Sequence, residues 1–229
     1  MGYGQFCPIA KALDILGERW TLLILRELIV GGRRFNELQR GLGMISPALL
    51  TKRLTELEKH GLVAKRRIPG QRGYEYFPTS CAEALQPTLF SLGEWGMQWA
   101  KENLVEEDFD VDLLMLYLQR SIDYTQLVGR ETVIRFEFTD LKQHPLWWLV
   151  VNDDRTEVCV KDPGRDVDIF FQTKLRTMCE VWLGHDTYRR ALKDEDLSIV
   201  GPTSLTRNVT SWLRCSPYTS PEDCELVLT

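Results

Sequence analysis

The chain has 229 residues, 44% apolar and 27% charged, the make-up of an ordinary globular protein with room for two buried cores. No apolar run approaches the ~18 residues of a membrane span. The start lacks the basic-then-apolar pattern of an export signal, so a cytoplasmic protein without membrane contact is expected. Six cysteines, at 7, 81, 159, 179, 215 and 224, include no Cys-x-x-Cys pair, so reduced thiols are expected rather than a disulfide framework or a zinc site. The net charge of −5 divides unevenly. Up to residue 78 there are 13 Lys and Arg against 7 Asp and Glu, a net +6, and beyond it 15 against 26, a net −11. Two domains with different partners fit that split, the basic one suited to nucleic acid.

The stretch CPIAKALDILGERWTLLILRELIVGG reads as two helices. Ile9, Leu13 and Leu16, then Leu22, Leu25, Leu28 and Ile29, recur at helical spacing, and Gly31-Gly32 closes the second. RRFNELQRGL is a short helix turning on Phe35 and Leu38. In GMISPALLTKRLTELEKHGLV, Ser46 suits the N-cap and Pro47 the first helical position, where a missing N–H is harmless. Leu50, Leu54 and Leu57 share one face, Ala48, Thr51, Lys52 and Thr55 fall elsewhere, and Gly61 ends the helix. LVAKRRI and YEYFPT are strand-like runs around PGQRG, a hairpin carrying Lys65, Arg66, Arg67 and Arg72. This order of elements predicts a winged helix-turn-helix. A longer helix is expected from about Thr79 to Leu104, its stripe of Leu85, Leu89, Leu92, Trp95 and Trp99 read first as core.

Over roughly residues 6 to 100 the chain resembles the HxlR-type transcriptional regulators, relatives of the MarR class. The words that carry this are CPIAKALDILGERWTLLILREL, RRFNELQRGLGMISPALLTKRLTELEKHGLV, YEYFPT and LGEWGMQW, in that order. TSCAEAL departs from the pattern, since the family more often has a Gly before the final small residue. The resemblance implies a homodimer joined through terminal helices. Its two reading heads would sit about one helical turn apart on a near-palindromic double-stranded DNA operator. Arg53, Arg66, Arg67 and Arg72 are assigned mainly to phosphates, with the minor groove left open for Arg72. Ser46, Pro47, Thr51 and Lys52 start the capped helix, where base edges come within reach. Arg33, Arg34 and Asn36 begin the preceding helix, whose first amides suit a phosphate. The resemblance also implies redox sensing by a cysteine at the CP position, here Cys7. A structural or idle thiol is the other reading, with Lys11 one turn on.

VEEDFDVD, from about residue 105, is an acidic bridge that separates residues 1–104 from 111–213, and residues 214–229 form a tail without assignment. LLMLYLQR reads as a helix. In ETVIRFEFTD, Val133, Arg135 and Glu137 alternate with Ile134, Phe136 and Phe138, the period of a half-buried strand. PLWWLVVND, TEVCVKD and DVDIFFQT follow as strands, then helices KLRTMCEVWLG and HDTYRRALKD, strand LSIVG and helix TSLTRNVTSWL. Antiparallel strands followed by helices predict an α+β layer with helices on one face, making the whole chain α+β. Residues 111 to 213 are similar to the sterol-carrier-protein-like domain, most tellingly in WLG before a charged helix and a strand ending in Gly. That resemblance implies an apolar ligand held between sheet and helices. Phe136, Phe138, Trp147, Trp148, Phe170, Trp182 and Trp212 are the candidate lining, with ordinary core as the alternative for each.

Catalysis is not expected. His60, His144 and His185 have no Cys, Ser or carboxylate at the spacing of a triad or metal site, and Asp166 and Asp168 read as a solvated edge. No cofactor or metal is called for. The expected function is a sequence-specific DNA-binding transcriptional regulator, homodimeric and modulated by an apolar small-molecule effector in its C-terminal domain. The alternatives are a lipid or metabolite carrier dimerised by its N-terminal domain, and a redox regulator acting through Cys7.

Overall fold

In the computed structural model, which describes residues 2–127, 131–152 and 155–219, helix α1 (Pro8–Leu16) has Cys7 at its N-cap and Pro8 in its first turn. A tight turn follows in which Trp20 takes a left-handed conformation, φ 79°, and leads into α2 (Thr21–Ile29). Ile24, Leu25 and Leu28 put one stripe of α2 fully into the core. α3 (Phe35–Gly41) is started by Glu37, whose carboxylate accepts the backbone N–H groups of Arg33 and Arg34 at 2.9 and 3.0 Å. α4 (Pro47–Lys59) is capped by Ser46, whose Oγ accepts the Leu49 N–H at 3.3 Å, and buries Leu50, Leu54 and Leu57 as their spacing requires. Gly61 ends it in the left-handed region, φ 72°. Strands β1 (Val63–Arg67) and β2 (Tyr74–Pro78) then pair antiparallel, Arg66 opposite Glu75. The Tyr76 N–H also donates to the Arg33 carbonyl at 2.8 Å, stitching the hairpin to the entrance of α3.

The single helix expected from Thr79 to Leu104 is broken. α5 (Ser80–Glu83) ends in a turn, and α6 (Gln86–Trp99) restarts with Pro87 in its first turn. Proline has no N–H for the carbonyl four residues back, so a continuous helix would lose a bond there. Nor is the aromatic stripe core in this chain. Leu85 and Leu89 rest on the core, whereas Leu92, Trp95 and Trp99 are 49%, 58% and 64% exposed.

The second unit, from Glu102 onward, begins at the acidic bridge. α7 (Val111–Arg120) is capped by Asp110. Strands β3 (Thr132–Phe138), β4 (Leu146–Asn152), β5 (Arg155–Cys159) and β6 (Ile169–Thr173) are followed by α8 (Leu175–Leu183), α9 (Tyr188–Lys193) and β7 (Leu197–Val200). The segment read as one last helix is two short ones, α10 (Thr203–Thr206) and α11 (Val209–Trp212). The sheet order is β5-β4-β3-β6-β7. Its neighbours are antiparallel except β3 and β6, which run parallel, a departure from the all-antiparallel expectation. The chain leaves β5 at the sheet edge, crosses through residues 160–168 and lands beyond β3. Such a crossover, unlike a hairpin, delivers a parallel strand. The landing is fixed by the Asp168 carboxylate, which accepts the Val133 N–H at 2.8 Å.

One sheet face, with Ile134, Phe136, Phe138, Leu149 and Phe171, forms the second core together with Met115, Leu118, Met178, Val181 and Trp212. Phe136 stacks on Phe171 with 4.7 Å between ring centroids, and Trp212 meets Phe171 edge-on at 6.2 Å. Three buried indoles are satisfied. Trp147 donates to the His144 carbonyl, Trp182 to Ser121 Oγ and Trp212 to the Leu205 carbonyl, each at 2.9 Å. The described start of the tail docks on α8, the Ser216 N–H donating to the Trp182 carbonyl at 2.8 Å. Cys7, Cys81, Cys159 and Cys179 are free thiols, but Cys215 is disulfide-bonded, which corrects the expectation of six reduced thiols. No described helix is long and apolar enough to cross a membrane.

One polar group lies at the centre of the first core. Glu27 is fully buried, and Arg26 holds its carboxylate through Nη2 at 2.9 Å and Nε at 3.2 Å. Arg26 Nη2 also donates to the Gly41 carbonyl at 3.0 Å, tying α2 to the end of α3. A Cβ on Gly41 would overlap the Glu27 carboxylate. Helix propensity alone makes Gly41→Ala stabilising by about 1 kcal/mol. Displacing a buried, paired charge makes it destabilising by about 2–4 kcal/mol. We expect the second outcome in denaturant unfolding, and a raised midpoint overturns this account of the contact.

Candidate nucleic-acid interface

α4 turns Pro47, Ala48, Thr51, Lys52 and Thr55 to solvent, opposite its buried leucines. Its 13 residues span about 20 Å at 1.5 Å per residue. That length suits an insertion into the major groove. Ser46 Oγ is occupied as a cap, and Thr51 Oγ1 donates back to the Pro47 carbonyl at 2.9 Å, which leaves its oxygen lone pairs outward. Lys52 is exposed and makes no ion pair among the described residues.

Arg53, assigned from sequence to a phosphate, faces inward instead. Only 8% of the residue is exposed, and its guanidinium donates to Glu18 at 2.5 Å, to Glu56 at 2.6 Å and to the Arg19 carbonyl at 3.2 Å. Desolvation pulls its pKa down, but Glu56 and Glu18 outweigh that and hold it above the ordinary value. All three directions of the fork are used, so Arg53 anchors α4 to the turn before α2. Arg33 is also committed. Its Nη1 donates to the carbonyls of Leu28 at 2.5 Å and Gly32 at 2.9 Å, closing the end of α2, and its guanidinium lies 5.4 Å from the Phe77 ring centroid. Arg34 and Asn36 remain outward at the start of α3, with Arg34 Nε 3.9 Å from the Glu75 carboxylate.

The hairpin carries the rest of the positive charge. Arg66, Arg67 and Arg72 are exposed, and the tip turns on Gly70 and Gly73 at φ 69° and 119°. Sequence reasoning did not place aromatic rings against two of the hairpin cations, one on each face of the strand pair. Lys65 Nζ sits 4.2 Å from the Tyr74 ring centroid, and the Arg66 guanidinium 4.7 Å from that of Phe77. Tyr74 and Phe77, three apart in β2, fall on opposite faces, as Lys65 and Arg66 do. Nothing local in sequence announces Glu18 and Arg19 as partners of Arg53, 35 and 34 residues away.

The aromatic set proposed for a ligand pocket does not form one wall. Phe136 is paired in register with Trp147 and Phe171, and Arg135 with Trp148 and Phe170, so Trp148 and Phe170 lie on the opposite sheet face from Phe136, Phe138 and Trp147. A period of two makes that division unavoidable. Phe136, Phe138 and Trp212 are sealed in the core, and of the seven residues Trp182 alone also borders the apolar cavity between α7 and α8. Cys7 is partly buried and holds the N-cap position of α1, while the Lys11 ammonium is 3.3 Å from Asp14.

Residues 15–104 match the HxlR-like helix-turn-helix family. The uncharacterized HTH-type transcriptional regulator YvaP of Bacillus subtilis (strain 168) is 35% identical over 108 residues, covering 46% of this chain and 100% of that protein. The uncharacterized HTH-type transcriptional regulator sll1512 of Synechocystis is 35% identical over 104 residues, 45% of this chain and 77% of its own. Among solved structures, the reduced form of the transcriptional regulator YodB from B. subtilis is 32% identical, covering 42% of this chain and 98% of its own, with a TM-score of 0.38. The family match and both relatives cover less than half of the chain, and the family match ends at residue 104. With a full-length relative matched at this identity, and with a capped helix and a basic hairpin in the expected order, the chain belongs to the HxlR-like helix-turn-helix family.

Proposed function

We propose that this protein is a homodimeric, sequence-specific DNA-binding regulator of transcription whose C-terminal unit holds a small-molecule effector site. The observation that carries the DNA-binding reading is the exposed face of α4 beside a cationic hairpin, in a chain of a helix-turn-helix family. In this reading Ser46, Pro47, Thr51 and Lys52 approach base edges, Arg66 and Arg67 follow the phosphates, and Arg72 at the tip reaches a phosphate or the minor groove. Arg34 and Asn36 meet the neighbouring backbone. The family speaks for regulation rather than catalysis.

Two apolar surfaces support the homodimer. Trp95 and Trp99 stand exposed on α6, and Ile9 and Leu13 on α1 are 70% and 42% exposed. An exposed stripe of this size marks an interaction surface, and a twofold pair would place two copies of α4 on one duplex. The second unit is a sheet with helices packed on its Phe136 face, and the sterol-carrier-protein-like resemblance of its sequence is what suggests a ligand there. We read it as the effector unit, acting by linkage. A ligand that prefers one spacing of the two α4 helices shifts DNA affinity by its differential affinity for the two states. The carrier alternative predicts no salt-dependent duplex binding. The redox alternative draws on Cys7, a free thiol at the start of α1 that is partly open to solvent. Loss of an oxidant response in Cys7→Ser would single it out.

Selection of duplexes from a randomised pool, followed by binding measured against salt, tests the main reading. Lys52→Ala is expected to change the selected sequence. Arg66→Ala should weaken binding to all duplexes alike and lower the salt slope by about 1. Arg53→Ala should lower the unfolding midpoint and, at temperatures where it stays folded, leave the salt slope nearly unchanged. Equal losses on selected and random duplexes for Lys52→Ala and Arg66→Ala overturn this division of roles. For the dimer, Trp95→Glu combined with Trp99→Glu is expected to sediment as a monomer. A dimer unaffected by both substitutions places the interface elsewhere.

A further inference from the structure

The cavity between the acidic bridge, α7 and α8 has chemistry of its own. It measures about 100 Å³ and is open on one side, with Phe109, Leu113, Leu114, Tyr117, Trp182 and Leu183 as carbon walls. Tyr117 and Trp182 stack with centroids 4.8 Å apart and planes 8° apart, and the Trp182 N–H is already donated to Ser121 Oγ. Cys179 completes the wall. Burial, helped by the charges of Glu180, Asp110 and Asp140, pushes its thiol up to about 12, so it is an uncharged surface at neutral pH.

The surrounding charge is one-sided. Asp108 and Asp110 also line the cavity. Each uses one carboxylate oxygen on a backbone N–H, Asp108 on Val105 at 3.0 Å and Asp110 on Leu113 at 2.8 Å, and neither has an ion-pair partner among the described residues. A nearby cation, Arg176, is held between Glu106 at 3.2 Å and Glu180 at 2.9 Å, its guanidinium 5.3 Å from the Phe109 ring centroid. From Glu102 to Asp112 there are six carboxylates and no Lys or Arg.

We propose that this cavity binds an organic cation bearing one aromatic or compact apolar group, of the arylalkylammonium class. The apolar group enters among Leu113, Leu114, Phe109 and the Tyr117–Trp182 stack, and the ammonium stays at the mouth facing Asp108 and Asp110. A neutral ligand leaves those carboxylates unmatched and an anion is repelled by them, so the preference for a cation follows from walls and mouth together. Size argues against a sterol. A sealed apolar cavity of about 150 Å³ accepts one benzene ring, and this one is smaller and open. The proposal rests on the effector reading only for its effect on DNA binding. The site chemistry is independent of it.

Calorimetric titration of the full chain with benzyltrimethylammonium and with neopentylbenzene, its uncharged isostere, tests this. The cation is expected to bind more tightly by about tenfold, the scale of a partly desolvated charge contact. Asp108→Asn combined with Asp110→Asn should erase that advantage while leaving the unfolding midpoint in place, because asparagine caps a helix as well as aspartate at 110 and its Oδ1 can accept the Val105 N–H at 108. Leu113→Trp should fill the cavity and abolish binding of both ligands. Equal binding of the two ligands, a cation preference that survives the double substitution, or full binding in Leu113→Trp overturns the proposal. If the cation binds as described and affinity for the selected duplex does not move, the site stands and the effector reading of the second unit fails.

Discussion

The buried carboxylate of Glu27 governs the DNA-binding unit. A charge taken out of water must be matched within its own shell, and here the match is Arg26, which also reaches the carbonyl of Gly41. That arrangement sets how closely α2 and α3 approach and permits no side chain at residue 41. The turn from Leu42 to Ile45 starts from this point, and α4 starts from the turn. The orientation of the exposed α4 face is therefore inherited from a polar contact in the core. Leucine packing alone supplies cohesion but tolerates sliding; an ion pair with two bonds to the carboxylate and one to the Gly41 carbonyl does not.

The arginines of the first unit divide by where their planar fork can be saturated. Arg26, Arg33 and Arg53 find carboxylates or backbone carbonyls inside the fold and are used up there. Arg66, Arg67 and Arg72 have only a hairpin beneath them and stay outward. Composition gives a single figure for basic charge, yet only part of it is available to a partner. The 13 basic residues of the first 78 overstate what a partner can reach, since Arg26 and Arg53 are matched by the carboxylates they touch, a cancellation that the net +6 already contains.

Elements announced by local chemistry were legible in the sequence. Ser46 with Pro47, the leucine triplet of α4, Gly61 and the PGQRG turn each dictate a boundary or a face without help from distant residues. Of four features the sequence reading missed, two depend on remote residues or on topology and two have local causes. The break before α6 has its cause in Pro87 itself, inside an apolar stripe whose spacing runs on unbroken. The inward turn of Arg53 depends on Glu18, far away in sequence. The parallel pairing of β3 with β6 is a property of topology, which strand periodicity does not encode. The aromatic set failed as a single pocket for a simpler reason. Trp147 and Trp148 are adjacent in a strand, and adjacent strand residues point to opposite faces. A list chosen by residue type ignores that parity.

The ring contacts on the two faces of the hairpin have a further consequence, for the entropy of association. A free lysine or arginine side chain carries about 2 kcal/mol of rotamer freedom. Immobilising such a chain at an interface opposes binding by about 0.5–1.5 kcal/mol. Lys65 over Tyr74 and Arg66 over Phe77 are already restrained by ring contacts in the unbound protein. Much of that ordering is accomplished during folding, so these cations would meet an anionic partner with less freedom left to lose. The hairpin is in this sense stiffened before any partner arrives, by two rings of its own second strand.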